Sequence, residues 1–264
     1  MSMLASERWR ATRRASSSSA RASRSRTSFT APFDPARRSE VYRRIAAARV
    51  NNAAAIFPEL SDLVRFLDRA TREVKGRHTL AELELARLVA LQRSLANIDM
   101  TDLEKQPYAG WTKQHEAQIV YSEPAGQWFV RSELFWDLQA RYKDLPAAEQ
   151  IAWEGAQMPL PGECEGYLPC HLYTLTQSEG RYLKLYPRGA HAGDALNQIS
   201  EFLASVVEDQ HADNPVFQVP PEDRAELAKT IAELRAQVAP AAHPLRARAL
   251  EQLDAVARRY PTEP

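Results

Sequence analysis

Apolar residues recur at steps of three and four along most of this chain, and this spacing restricts its fold more than any other feature. The longest uninterrupted example comprises Ala192, Ala195, Leu196, Ile199, Phe202, Leu203 and Val206. A period near 3.6 residues places such side chains on one face of an α-helix, and that face must be buried against a partner. The sequence therefore predicts a mostly α-helical protein built from packed helical hairpins.

The composition agrees with a helical fold that has a sizeable core. Only 9 of the 264 residues are glycine, and 44% of the residues are apolar. Further apolar stripes predict helices over 60–76, 172–186, 227–238 and 245–260. A first helix over 41–56 is expected to end at Pro58, because proline lacks a backbone donor. The helix over 172–186 is expected to be weakened at Gly180.

One part of the chain departs from the helical spacing. Ile119-Val120-Tyr121 and Trp128-Phe129-Val130 are short runs of residues that favour β-strands, and they flank a hexapeptide with proline and glycine. We expect either a small β-hairpin over 119–130 or an extended loop held by Trp111 and Trp128. Both remain open because two strands alone are only marginally stable.

The first 38 residues differ in composition from the rest of the chain. They hold nine arginines against only Glu7 and Asp34, are rich in serine and have no apolar run. Such a segment cannot bury a core, so a disordered basic arm is expected over 1–38. Organellar transit peptides share this composition. A third interpretation is a wrongly assigned start, in which another frame of GC-rich codons encodes the apolar core of a signal region.

Without this arm, the remaining chain is acidic by about seven charges. An acidic body argues against binding to nucleic acid, because affinity for phosphates depends on clustered lysine and arginine. No segment reaches the roughly 18 apolar residues that cross a bilayer, so no membrane span is expected. Proline-rich interruptions predict a helical domain over 39–212, a linker over 213–221 and a C-terminal helical hairpin over 222–264.

Cys164 and Cys170 lie in a segment rich in proline and glycine. Such a loop can bring two sulfur atoms to bonding distance, and a disulfide is the favoured expectation. The alternatives are two free thiols in a cytoplasmic protein or part of a metal site. Because cytosolic thiols are kept reduced, a disulfide predicts a periplasmic or other cell-envelope location.

Sequence motifs of common enzymes are missing from the chain. There is no His-Glu-x-x-His or paired Cys-x-x-Cys pattern, no glycine-rich phosphate loop and no Gly-x-Ser-x-Gly nucleophile elbow. No metal and no cofactor are therefore expected, and a protein without catalytic activity is favoured. The alternative is an enzyme of unrecognised type that uses the Glu163 to His191 region, where Glu165 and His171 also lie.

The segment from Arg181 to Ala192 reads Arg-Tyr-Leu-Lys-Leu-Tyr-Pro-Arg-Gly-Ala-His-Ala, and Ala195-Leu196 follows it. It resembles the helix junctions of tetratricopeptide-like repeats in bacterial cell-envelope proteins, and Tyr260-Pro261 repeats its Tyr-Pro step. Locally, Pro187 stops one helix and Gly189 permits the turn. The resemblance implies partner binding on a helical surface and does not imply catalysis.

Aromatic residues supply the candidates for such a surface. The residues that we expect at a ligand or partner surface are Trp128, Trp136, Tyr182 and His191. Core packing is the alternative, because aromatic rings carry a large burial area in helical domains. The sequence thus predicts a non-enzymatic helical protein-interaction module of the cell envelope, with a protein as its partner.

Overall fold

The computed structural model describes residues 53–95, 98, 100–208 and 216–262. The predicted arm over 1–38 and most of the predicted helix over 41–56 lie outside the described residues. The described chain is mostly helical, as the apolar spacing predicts, and it contains one two-stranded antiparallel sheet. It divides into two compact units, of which unit 1 ends at Ala147 and unit 2 begins at Ala148.

Unit 1 combines helices with the small sheet. Its elements are α1 (Ala53–Glu73), α2 (Arg77–Leu95), α3 (Tyr108–Gln114), β1 (Ile119–Ser122), β2 (Gln127–Val130) and α4 (Ser132–Arg141). α1 and α2 pack along each other and are joined by a short connection, so they form a helical hairpin. α2 also packs against β2 and α4, which places it at the centre of the unit.

The start of α1 differs from the sequence prediction. Pro58 does not end a helix, because α1 runs from Ala53 through Pro58 to Glu73. Pro58 removes one backbone hydrogen bond near the N-terminal end of α1. The residues that follow bury an apolar stripe, in which Leu60, Leu63, Val64 and Leu67 are at most 3% exposed. Burial of this stripe outweighs the lost hydrogen bond.

The predicted β-hairpin is confirmed. β1 pairs antiparallel with β2, with Ile119 opposite Val130 and Tyr121 opposite Trp128. The ring centroids of Tyr121 and Trp128 lie 5.3 Å apart. The backbone N–H of Val130 faces away from β1 and donates to Oε1 of the buried Gln92 on α2 at 2.6 Å. This bond supplies a polar group of the sheet with a partner inside the core.

Unit 2 is helical. Its helices are α5 (Ala147–Ala156), α6 (Leu168–Gln177), α7 (Glu179–Leu185), α8 (Ala192–Glu208), α9 (Arg224–Val238) and α10 (Leu245–Arg259). α8 packs against α7 and α10, and α9 packs against α6, α7 and α10. The apolar face predicted for α8 is buried except at Phe202, which is partly exposed. Residues 213–215 of the predicted linker lie outside the described residues.

The single helix predicted over 172–186 is two helices. α6 ends at Gln177 and α7 begins at Glu179, and Ser178 between them has φ −110° and ψ −99°. The Thr176 carbonyl near the break accepts a hydrogen bond from Nε2 of Gln237 on α9 at 3.2 Å. A Cβ at Gly180 would overlap the Gln237 amide. The missing side chain at Gly180 therefore leaves space for the Gln237 amide. The interruption between α6 and α7 lies two residues earlier, at Ser178.

The Gln92 contact yields a stability prediction. Gln92→Leu should lower the free energy of unfolding by about 1–3 kcal/mol, because the buried Val130 N–H would lose its acceptor. Chemical denaturation followed by circular dichroism measures this change. Gln114→Leu is the control at an exposed position of α3, with an expected change within about 0.5 kcal/mol. Equal stability of the Gln92→Leu variant and the parent would contradict this role.

Candidate functional site

The four residues predicted for a partner surface lie in different environments. Trp136 is only 4% exposed and Tyr182 is fully buried. Because both rings are packed in the core, a partner cannot reach either of them unless the core rearranges. Trp128 and His191 are partly exposed. Trp128 belongs to unit 1 and His191 to unit 2.

The Tyr182 hydroxyl lies at the centre of a hydrogen-bonded junction in unit 2. It donates to Oε1 of Glu149 on α5 at 3.0 Å and accepts the backbone N–H of His191 at 3.1 Å. The same Glu149 oxygen accepts the backbone N–H of Ala190. Burial raises the pKa of Tyr182, so the hydroxyl keeps the proton that it donates. We call Glu149, Tyr182 and residues 187–191 the tyrosine junction.

Gly189 marks the closest approach of the turn to Tyr182. A Cβ at Gly189 would overlap the Tyr182 hydroxyl and would lie 2.7 Å from Oε1 of Glu149. The Gly189 N–H donates to the Tyr186 carbonyl at 3.0 Å, and the Gly189 carbonyl accepts from the Ala192 N–H at 3.1 Å. The Tyr-Pro-x-Gly-x-His-Ala segment therefore has a local explanation, in which glycine lets a turn close over a buried hydroxyl.

The side chain of His191 is held by three neighbours. Its ring stacks on Trp153, with 4.6 Å between the centroids and 3° between the planes. Nδ1 lies 3.1 Å from Oδ2 of Asp194, and Nε2 lies 3.2 Å from Oε1 of Gln150. A general base needs a ring nitrogen that can reach the proton of a substrate. Both nitrogens of His191 face protein oxygens instead, so these contacts hold the start of α8 against α5.

The cysteine loop, residues 161–170, carries the predicted disulfide. The sulfur atoms of Cys164 and Cys170 lie at disulfide bonding distance, 2.01 Å apart. Glu163 and Glu165 are exposed on this loop. Within the described residues, no hydrogen bond, ion pair or ring contact joins either glutamate to His171 or His191. The structure therefore does not assemble these four residues into an acid–base site.

His171 follows Cys170 and packs in a cluster of aromatic rings. Its centroid lies 5.4 Å from that of Phe202 on α8 and 5.7 Å from that of Phe217. The two phenylalanine rings are themselves 5.5 Å apart. Burial lowers the pKa of His171. The imidazole of His171 therefore serves as a neutral packing group. We call His171, Phe202 and Phe217 the aromatic cluster.

Unit 1 contains a buried histidine, which the sequence interpretation missed. His115 is 3% exposed, and its centroid lies 4.3 Å from the Trp111 ring. Neither ring nitrogen of His115 has a hydrogen-bond partner among the described residues. Burial lowers the pKa of His115; Arg87 and Arg65 act in the same direction, whereas Asp68 opposes them. The spacing of four residues from Trp111 was the available signal, because it places both rings on one side of a helical turn.

Two wider properties of the described residues bear on the site. They contain no group of three or more His, Cys, Asp or Glu side chains placed to hold a metal ion. None of the helices in these parts of the chain combines the length and the apolar character that a bilayer crossing requires. The candidate site in the described residues thus consists of hydrogen-bonded and stacked side chains.

Comparisons with models of protein families, with curated proteins and with solved structures find no match to this chain. The resemblance to tetratricopeptide-like repeats accordingly stays a prediction.

The tyrosine junction yields a second stability prediction. Tyr182→Phe should lower the free energy of unfolding by about 1–3 kcal/mol, because Glu149 and the His191 N–H would lose a buried partner. Denaturant titration monitored by tryptophan fluorescence measures the loss. Tyr173→Phe removes the same hydroxyl from a residue that is 56% exposed, and it should leave stability unchanged. A loss of equal size in both variants would contradict the role given to the junction.

The buried histidine yields a prediction for pH dependence. Folding depresses the pKa of His115 below its ordinary value of 6.5, so the folded protein binds fewer protons than the unfolded chain. The free energy of unfolding should therefore fall as the pH drops through about 6.5 and below. Denaturant titrations between about pH 8 and pH 5 measure the slope. His171 contributes with the same sign, because burial also lowers its pKa.

Substitution separates the contribution of His115 from that of His171. His115→Leu should flatten the acid limb of the stability curve without removing it, since His171 remains. His78→Leu alters an exposed histidine and should retain the contribution of His115. An unchanged slope in the His115→Leu variant would show that this ring is not the acid-sensitive group.

Proposed function

We propose that this chain is a non-enzymatic helical module that binds a protein partner in an oxidising cell-envelope compartment. One observation carries the proposal: the side chains best suited to chemistry in unit 2 serve as partners for one another. Glu149 and Tyr182 hold the turn before α8, and His191 is stacked and hydrogen-bonded on both nitrogens. Such a network stabilises a shape, and a stable shape is what a partner recognises.

The cysteine pair supports the compartment in this proposal. Thiols in the cytosol are kept reduced, whereas the periplasm and extracellular space preserve disulfides. Cys164 and Cys170 lie at bonding distance in a loop that is otherwise held only by backbone contacts and a few side chains. A disulfide there removes conformations from the unfolded chain and so stabilises the loop.

Exposed apolar side chains support a partner-binding surface on unit 2. Among the described residues, those that are large, apolar and markedly exposed are Tyr173, Leu185, Val207 and Val216. Tyr173 is the most exposed of them, at 56%, and tyrosine is enriched at the energetic centres of protein interfaces. It lies on α6 beside Thr174, whose Oγ1 is 4.0 Å from Sγ of Cys164. We place Tyr173 in the partner contact.

Site-specific cross-linking tests the partner contact. A photoreactive side chain at position 173 should give one dominant protein adduct in the native cells, whereas the same group at the exposed position 184 on α7 should not. Tyr173→Ala should weaken recovery of that protein by about tenfold or more, and Lys184→Ala should not. Equal adducts at both positions, or recovery insensitive to Tyr173→Ala, would contradict the proposed surface.

The compartment is tested by the redox state of the cysteines. Protein isolated from its native cells under rapid alkylation and then denatured should contain no free thiol, because an oxidising compartment preserves the disulfide. Mass spectrometry of the alkylated protein measures the number of modified cysteines. Treatment with a reductant before alkylation is the control and should give two modified cysteines. Two free thiols without reductant would contradict the envelope location.

A second candidate function is an enzyme that uses the Glu163 to His191 region. The observation that favours it is the hydrogen bond between Nδ1 of the partly exposed His191 and Asp194, since a carboxylate can orient a catalytic imidazole. Combined Glu163→Ala and His191→Ala substitutions distinguish the two functions. If the chain is an enzyme, cells with this variant should behave like cells without the protein although the variant keeps its fold. If the chain is an interaction module that binds through Tyr173, these cells should behave like the parent.

A further inference from the structure

The cysteine loop holds the chain segment 216–218 by backbone pairing. The Gln218 N–H donates to the Gly166 carbonyl at 2.8 Å, and the Leu168 N–H donates to the Gln218 carbonyl at 3.1 Å. Tyr167 and Gln218 thereby form an isolated parallel bridge. The Tyr260 hydroxyl also donates to the Phe217 carbonyl at 3.4 Å, so the backbone over 166–168 is not the only support of segment 216–218. Gly166 and Tyr167 lie inside the ring that the disulfide closes.

The ring includes Glu165 in a backbone conformation that residues other than glycine adopt only rarely. Glu165 has φ 38° and Gly166 has φ 84°, so two successive residues are left-handed. The ring is also closed by a hydrogen bond from the Tyr167 N–H to the Cys164 carbonyl at 2.6 Å. Gly166 comes so near to segment 216–218 that a Cβ would lie 2.5 Å from the Val216 carbonyl oxygen. The covalent ring therefore presents Gly166 in the one geometry that fits its partner.

Segment 216–218 delivers a ring to the interior of unit 2. Phe217 is 4% exposed and completes the aromatic cluster with His171 and Phe202. His171 is itself the residue after Cys170. Phe217 is carried by segment 216–218, and His171 is carried by the start of α6. Both parts of the chain are thus held close to the disulfide. Release of the segment would uncover the faces of His171 and Phe202.

We propose that the Cys164–Cys170 disulfide is a redox latch that keeps Phe217 in the aromatic cluster. A dithiol reductant would break the sulfur–sulfur bond, transfer two electrons and two protons to give two cysteine thiols, and itself become a cyclic disulfide. The opened loop regains its conformational freedom at Glu165 and Gly166, and the pairing of Gly166 and Leu168 with Gln218 is lost. The latch is a property of unit 2 and does not rest on the proposed partner.

Hydrogen exchange of the full chain, oxidised and then reduced with a dithiol, tests the latch. The amides of Leu168 and Gln218 should lose protection by on the order of tenfold or more on reduction. Amides in the middle of α8 and α10, such as those of Ile199 and Leu253, should keep their protection. Unchanged protection at Gln218 after complete reduction would overturn the proposal, and so would an equal loss at Ile199, because the opening would then be global.

Two glycine variants keep the test informative without any change to the cysteines. Gly166→Ala in the oxidised protein should remove protection at Gln218, because a Cβ meets the Val216 carbonyl. Gly162→Ala is the matched control, since Gly162 also has a positive φ, 102°, but has open space around its Cβ position. Gln218 should stay protected in that variant. Equal loss of protection in both variants would overturn the assignment of the Gly166 contact as the holding point.

The combined Cys164→Ser and Cys170→Ser substitutions provide the last comparison. This variant should show the exchange pattern of the reduced protein with or without the dithiol, while the parent changes on reduction. A variant that protects Gln218 as well as the oxidised parent does would overturn the latch. Far-UV circular dichroism of each variant identifies any loss of helix outside the loop. If the serine variant has lost helix, hydrogen exchange of the oxidised Gly166→Ala protein decides the test.

Discussion

Unit 2 depends on the burial of a single hydroxyl group. Tyr182 has no exposed surface, and a buried hydroxyl without partners costs several times the stabilisation of an ordinary hydrogen bond. Its partners come from two directions: the carboxylate of Glu149 on α5 and the backbone N–H of His191 at the start of α8. The unit can therefore bury this ring only if α5, α7 and the turn before α8 meet. Gly189 permits that meeting because it has no side chain to block the hydroxyl.

The same requirement for polar partners shapes unit 1, although the pairing there is less complete, because Gln92 Nε2, Trp128 Nε1 and Ser132 Oγ are buried without a hydrogen-bond partner among the described residues. Gln92 accepts the N–H of Val130, and the Trp111 indole donates to Ser94 at 2.9 Å, so polar groups of the core are paired across elements. His115 differs, because both of its ring nitrogens are buried without a partner among the described residues. A neutral ring tolerates this environment and a charged ring does not. The packing around Trp111 thus couples the stability of unit 1 to the proton concentration.

How far the fold could be predicted from the sequence depends on the distance between the residues that decide it. The buried face of α8 follows from a pattern within about 15 residues and was predictable, whereas the pairing of β1 with β2 was one of two alternatives that the local pattern left open. The break in the helix over 172–186 was predictable only in part, because Gly180 indicated a weak point two residues from Ser178, whereas the nearby contact with Gln237 comes from another helix. The course of α1 through Pro58 was not predictable, since the burial of the following stripe compensates for the proline. Tertiary contacts override local propensity at both places.

The same distance between residues decides how much of the candidate site could be predicted. Cys164 and Cys170 are near neighbours, so a loop composition was enough to predict their pairing. Tyr182 and His191 were singled out as surface residues because aromatic and imidazole groups often recognise ligands. Their partner Glu149 lies on another helix, and nothing in the local pattern around Glu149 indicates a junction. Without that partner, a buried structural tyrosine and an exposed binding tyrosine look alike in the sequence.

The cysteine loop connects the chemistry of the compartment to the packing of unit 2. One anchor of this loop is independent of the sulfurs: the Tyr167 hydroxyl is hydrogen-bonded to Asp223, an interaction that raises the pKa of Tyr167 to about 12. This anchor fixes the Tyr167 side chain, and the backbone bond from the Tyr167 N–H to the Cys164 carbonyl closes the turn over Glu165 and Gly166. In the proposed latch, ring closure by the disulfide adds a covalent restraint to the left-handed conformations that pair Gly166 with segment 216–218. On this proposal, a compartment that maintains the disulfide also maintains Phe217 in the core, and both effects depend on the seven residues from Cys164 to Cys170.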